Sequence, residues 1–116
     1  MILTLPYPPS VNTYWRANGK RRFISKAGVA FKAAVQEYVI DRKIPKLGIA
    51  RLRMEIVICP RSRRIFDIDN LLKAILDALM DAGVYEDDSQ VDDLHIVRGK
   101  ACKGGAAVVV IEEING

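Results

Sequence analysis

Arg51-Leu52-Arg53-Met54-Glu55-Ile56-Val57-Ile58-Cys59 alternates polar and apolar residues in its first half, is apolar throughout its second, and is closed by Pro60. Successive side chains of a strand point to opposite faces, so this pattern predicts a β-strand, solvated at one end and buried at the other. It is the clearest strand of the chain, and its neighbours are read from it in both directions.

Downstream comes Arg61-Ser62-Arg63-Arg64-Ile65-Phe66-Asp67-Ile68-Asp69-Asn70-Leu71-Leu72-Lys73. Arginines suit phosphates, whereas paired carboxylates repel them unless a divalent cation lies between. The stretch therefore suggests metal-assisted chemistry on a nucleic-acid backbone. In an extended segment Asp67 and Asp69 point to the same side, and oxygen-only ligands suit Mg2+ or Mn2+. The plain alternative stays open at this point: one aspartate caps a helix and Asp69 pairs with Lys73 four residues on. Leu72, Ile75, Leu76, Leu79 and Met80 recur three or four apart before Gly83, which predicts a helix over 70–82 with Asn70, Lys73, Asp77 and Asp81 on its other face. An acidic loop follows over 84–90. Strands are expected at 94–99 and 106–114, joined by a glycine-rich hairpin connection containing Gly104-Gly105.

Upstream, Ile2 to Leu5 reads as a short edge strand stopped by Pro6. Pro6-Tyr7-Pro8-Pro9-Ser10-Val11-Asn12-Thr13-Tyr14-Trp15-Arg16 is extended and non-helical, and its aromatics either pack or stack on unpaired bases. Arg16, Lys20, Arg21, Arg22 and Lys26 surround the turn signal Asn18-Gly19, which predicts a basic hairpin or loop suited to phosphate contact. Ser25 is a candidate N-cap for an amphipathic helix over 27–40, with apolar positions at Val29/Ala30, Ala33/Ala34, Val35 and Val39 or Ile40.

The 116 residues are half apolar and 28% charged, a globular balance that fits one domain. No apolar run is long enough to span a membrane and no signal peptide is read. Cys59 and Cys102 lack metal spacing and are expected to be reduced thiols, and the lone His95 to be structural. Residues 1–66 carry 14 of the 18 basic residues and 3 of the 14 acidic ones, whereas nine acids lie between Asp67 and Asp93. An acidic knot in a basic chain is what a metal-dependent nuclease needs, although two faces that pair with each other would give the same segregation. Glycine-rich phosphate loops and a Ser/His/Asp set are absent from the sequence. The coarse order of elements predicts an α+β fold, a small mixed or antiparallel sheet with two main helices packed on it.

Asp67-Ile68-Asp69-Asn70-Leu71-Leu72-Lys73-Ala74, Leu76-Asp77-Ala78-Leu79, Gly83-Val84-Tyr85-Glu86-Asp87-Asp88-Ser89-Gln90-Val91 and the opening Leu5-Pro6-Tyr7-Pro8-Pro9-Ser10-Val11-Asn12 with Tyr14 resemble, in order and along essentially the full chain, the RusA family of Holliday junction resolvases. The resemblance implies a cytoplasmic, nucleoid-associated, often phage-derived Mg2+-dependent endonuclease, with Mn2+ as a substitute. Such an enzyme acts as an intertwined or two-fold homodimer that resolves four-way DNA junctions by paired nicks. By position it implies that Asp67, Asp69 and Asp88 hold the metal and that Lys73 stabilises developing charge; Asp87, next to Asp88, is read from that adjacency as orienting a bound water. Asn12, Tyr14, Arg16, Lys20, Arg21, Arg22, Arg61, Arg63, Arg64 and Lys73 are the expected DNA contacts. A less selective branched-DNA endonuclease and a non-catalytic DNA-binding dimer are the competing readings. Ile65-Phe66 departs from the family's basic run before the first aspartate, and Phe66 reads either as a junction wedge or as a packing residue.

Overall fold

The computed structural model describes residues 1–11, 15–18, 21–63 and 66–114, with the backbone alone for 15–18, 21 and 22. Its elements are β1 (Ile2–Leu5), β2 (Trp15–Asn18), β3 (Arg21–Ile24), α1 (Lys26–Asp41) and β4 (Leu52–Cys59). A 3-10 turn (Ile68–Leu71) then leads into α2 (Leu72–Asp81), and a second one (Asp88–Gln90) into β5 (Val91–Arg98), before β6 (Ala106–Glu113). β1, β6, β4 and β5 form one mixed sheet in that order, and β2 and β3 pair as a separate antiparallel hairpin. This is the expected α+β arrangement, with the hairpin where Asn18-Gly19 placed it.

β4 is central because it has most to bury. Leu52, Met54, Ile56 and Ile58 are fully enclosed against the helices, and they join Leu3, Leu5, Ala107, Val109 and Ile111 from the flanking strands in one core. The alternation holds along the whole strand. The change from polar to apolar noted in the sequence is confined to the other face, where exposed Arg53 and Glu55 give way to half-buried Val57 and Cys59.

β4 pairs with β5 in parallel and with β6 antiparallel. The expected β5–β6 hairpin is therefore corrected: β4 lies between the two strands. A direct hairpin would leave the strand with the most buried side chains with a single neighbour. Instead the glycine-rich connection crosses over the end of β4, where Gly99 N–H donates to the Ile58 carbonyl at 2.8 Å and Cys102 N–H to that of Pro60 at 2.9 Å. Gly105, at φ +72°, admits this crossing, since a Cβ there would lie 2.5 Å from Tyr7 Cδ1.

Ser25 caps α1 by accepting the Gly28 N–H at 3.1 Å. The buried face of α1 carries Gly28, Phe31, Val35 and Val39, while Val29 and Ile40 point outward. In so alanine-rich a helix the apolar pattern is nearly uniform, so the large Phe31 sets the rotation. α2 buries Ala74, Ile75, Ala78 and Leu79, and Asp81 ties it to α1 through Gln36 Nε2 at 2.9 Å and Lys32 Nζ at 3.9 Å. Among the described residues no helix is long and apolar enough to cross a membrane.

Two ion pairs cross the parallel β4–β5 seam and its approach. Arg51 forks onto Asp92, and Arg53 Nε donates to Asp93 at 2.9 Å, with His95 Nε2 3.0 Å from the same carboxylate. Both aspartates are held below the ordinary carboxylate range, Asp92 by the hydrogen bonds from Arg51 and Asp93 by that from Arg53 and then by His95. A carboxyl depressed in the folded state contributes stability above its unfolded pKa and loses it as pH falls through the folded one. The urea midpoint should therefore drop below about pH 4, and Asp92→Asn/Asp93→Asn should lower it at about pH 6 yet give a shallower acid limb that converges with wild type near about pH 2. Parallel curves for the two proteins would show that these pairs carry no such linkage.

Candidate active site

The end of β4 delivers the chain to a corner of aromatic and cationic side chains. The Arg61 guanidinium lies 4.9 Å from the centre of the Tyr7 ring, Tyr7 meets Phe66 edge-on at 6.4 Å, and Arg98 stands 4.5 Å from the Phe66 ring. Arg98 also donates to the Phe66 carbonyl at 2.6 Å. Phe66 is half-buried and packed against the core, so the packing reading describes its place in the fold, as it does for Tyr7. Arg61 and Arg63 are exposed beside this corner. Arg16, Arg21 and Arg22 fall on the β2–β3 hairpin, whose side chains at these positions are outside the described residues, as are Asn12, Tyr14, Lys20 and Arg64 altogether.

Asp67 stands at the N-cap position of the first 3-10 turn in extended backbone (φ −85°, ψ 126°), yet its side chain makes no capping hydrogen bond. Asp69 lies within that turn, and Lys73 follows it on the first turn of α2. Lys73 pairs with Asp77 at 3.1 Å, not with Asp69. Among the described residues neither Asp67 nor Asp69 is in an ion pair, and both are exposed. The alternative of a capping aspartate and an ordinary Asp69–Lys73 pair thus describes neither carboxylate.

Asp88 comes from the acidic turn. Lys73 Nζ lies 4.0 Å from Asp88 Oδ2, so the first turn of α2 and the acidic turn meet at this ammonium. Asp87 caps the turn by accepting the Ser89 N–H at 2.8 Å, which lowers its pKa. Beneath lies Tyr85, buried, its hydroxyl donating to the Leu76 carbonyl at 2.7 Å. Burial raises the phenol well above its ordinary pKa, and the charges of Asp88, Asp77 and Asp87 raise it further. Among the described residues no three carboxylate, imidazole or thiol groups are gathered closely enough to hold a metal ion by themselves.

Sequence reasoning put Asp77 on the helix face opposite the apolar stripe, but it is 8% exposed. It also passed over Arg98 and Gln90. The four-residue step from Lys73 to Asp77 was the available signal for the first, and the Arg98 contacts, across 32 residues, left none.

Gln90 sets the shape of the acidic turn. Although 5% exposed, it satisfies its whole amide: Oε1 accepts from the Glu86 and Asp87 N–H groups at 2.9 and 2.8 Å, and Nε2 donates to the Gly48 and Ala50 carbonyls, each at 2.8 Å. The turn is thereby fastened to the connection between α1 and β4.

Free carboxylates beside exposed arginines on a small α+β scaffold belong with enzymes that act on a phosphodiester backbone. A family model described as endodeoxyribonuclease RusA matches residues 6–112. The chain is 42% identical over 111 residues to the "Crossover junction endodeoxyribonuclease rusA" of Enterobacteria phage HK97, across 95% of this chain and 92% of that protein. It is 40% identical over 115 residues, 97% of this chain and 93% of the relative, to proteins of the same designation from Shigella sonnei strain Ss046 and from Enterobacteria phage 82. The chain belongs to the RusA endodeoxyribonuclease family.

Gln90→Leu strands the Ala50 carbonyl and the Asp87 N–H, while the Gly48 carbonyl and the Glu86 N–H keep their bond to each other at 3.2 Å. The variant should lose about 3 kcal/mol of unfolding free energy in urea, and a loss under about 1 kcal/mol would mean the turn does not depend on this amide.

Proposed function

We infer that this protein is a crossover junction endodeoxyribonuclease that resolves four-way DNA junctions in recombination and repair. The observation that carries this reading is the near full-length family match over a chain whose first two aspartates are left without a structural task. The domain formed by residues 1–116 would hold the whole activity, as a two-fold homodimer acting on DNA in the cytoplasm at the nucleoid. Two symmetric cuts call for two sites, and a C2 dimer supplies them.

Asp67, Asp69 and Asp88 are the residues that would hold a divalent cation, Mg2+ or in its place Mn2+. The donor set fits such an ion: hard carboxylate oxygens only, two of them exposed and unpaired among the described residues. Mg2+ in particular is commonly held by one or two carboxylates together with waters and phosphate oxygens, so a complete protein cage is not required. The chemistry a bound divalent cation supplies is neutralisation of charge on the scissile phosphate and a lower pKa for coordinated water.

The remaining roles belong to the chain's own side chains. The Lys73 ammonium, half exposed at the meeting of α2 and the acidic turn, is suited to face a non-bridging oxygen and hold the charge that develops there. Asp87 stands next to Asp88, where it can orient a water. Arg61, Arg63 and Arg64 would take the backbone phosphates leading into the site, and Asn12, Tyr14, Arg16, Lys20, Arg21 and Arg22, on and before the hairpin, a neighbouring arm of the junction.

Asp69→Asn should lower cleavage of a synthetic four-way junction in Mg2+ by about 1,000-fold or more, while binding measured in chelator persists or strengthens. Cleavage at near wild-type rate would remove Asp69 from the metal. The dimer is tested separately by analytical ultracentrifugation at micromolar concentration, where a monomer with full junction cleavage would end that part of the reading.

A further inference from the structure

We propose that Asp77 is a positioning residue: held inside the fold, it keeps the Lys73 ammonium beside the site and off the carboxylates assigned to the metal. This rests on the reading above insofar as Asp69 and Asp88 are metal ligands.

Every local consideration argues against a carboxylate at this position. Asp77 shares α2 with Ala74, Ile75, Ala78 and Leu79, all buried, and its side chain is only 11% exposed. A charge there is costly unless it is paired. The order, lysine first and acid four residues later, is also the weaker of the two helix-surface arrangements. An apolar residue would extend the Ala74–Ala78 face without any of these costs.

What Asp77 does have is Lys73, 3.1 Å away. The two ends of this pair are unequal. The Asp77 side chain is fixed by its burial, whereas that of Lys73 is 49% exposed and so presents the ammonium to whatever occupies the site. Asp88 Oδ2 is 4.0 Å from the same nitrogen, and Asp69 lies one turn back along the chain from Lys73. A lysine has four rotatable bonds. With Asp77 neutral, its ammonium would settle on Asp88 or Asp69 and occupy the oxygens that a divalent cation needs. Asp77 thus gives Lys73 an anion that the metal does not use, at a distance that leaves the lysine within reach of a phosphate.

The test uses the full-length, DNA-free protein and Mn2+ binding by isothermal titration calorimetry. Asp77→Asn should weaken Mn2+ binding by about 10-fold, and in a Lys73→Met background the same change should alter it by less than about 2-fold, because the competing ammonium is gone. Asp77→Leu keeps the test independent of folding: it should melt at or above the wild-type temperature and still show the weakened Mn2+ binding, a combination that a purely structural role does not produce.

Wild-type Mn2+ affinity in Asp77→Asn would overturn the proposal. So would an equal loss with and without Lys73, which would make Asp77 a ligand in its own right. Single-turnover cleavage of a four-way junction at saturating Mg2+ supplies the second arm, with a loss of about 10-fold expected for Asp77→Asn and no further loss on top of Lys73→Met. Absence of junction cleavage by the wild-type protein would defeat the proposed function, whereas the Mn2+ arm would still decide the part played by Asp77.

Discussion

The parallel pairing of β4 with β5 is the constraint from which the rest follows. Two parallel strands cannot be joined by a tight turn, so the chain must leave the end of β4, cross the sheet and return to the start of β5. α2 is that crossing. The stretch between β4 and α2 is therefore held at the carboxyl end of a buried strand, where open α/β layers commonly place their sites. Asp67 and Asp69 sit in that stretch. The antiparallel partner β6 completes the enclosure of β4, and its connection back over the same end brings Gly99, Cys102 and Gly105 against Ile58, Pro60 and Tyr7. One strand's need for two neighbours thus fixes both the position of the carboxylates and the aromatic corner beside them.

The acidic knot read from the sequence divides into two populations once the chain is folded. Asp92 is bound by Arg51, just before β4, and Asp93 by Arg53 on β4, while Asp81 is bound by Lys32 and Gln36 from α1. These carboxylates hold elements together at the surface, where such pairs are worth little individually. Among the described residues Asp67 and Asp69 are outside these pairs, and Asp88 lies beside Lys73. The charge segregation admitted two readings, paired faces or a metal site; Asp81, Asp92 and Asp93 take part in pairing, and Asp67 and Asp69 stay outside it.

Most elements were legible because each carried its own local signal. The alternation of β4, the Ser25 cap, the turn signal between β2 and β3 and the three-or-four spacing of α2 are all properties of neighbouring residues, and the strands and helices they predict appear where they were expected. The strand order was not legible, since it depends on which strand gains most from a second neighbour, a comparison among distant segments. The rotation of α1 was missed for a related reason: an alanine-rich helix has no decisive stripe, and Phe31 alone settles it. For the site, the arginine–aspartate stretch could be found by charge, but Asp88 was reached only by resemblance, and the burial of Asp77 depends on the packing of Tyr85 and α2 against the acidic turn.

The few buried polar side chains bear on where the fold gives up stability. Among the described residues Ser25, Asp77 and Gln90 are the buried ones, and Ser25 is an ordinary helix cap. The other two both act on the region where α2 meets the acidic turn. Gln90 fixes the turn's backbone through four hydrogen bonds, and Asp77 holds the lysine that faces it. An apolar core tolerates exchange of one hydrophobic residue for another of similar volume. A satisfied amide is less forgiving, because each lost partner strands a buried polar group, whereas an apolar residue in place of Asp77 leaves only the half-exposed Lys73 without its partner. Concentrating such interactions beside Asp88 ties the acidic turn to α2 and to the connection before β4 by directional bonds as well as by apolar burial.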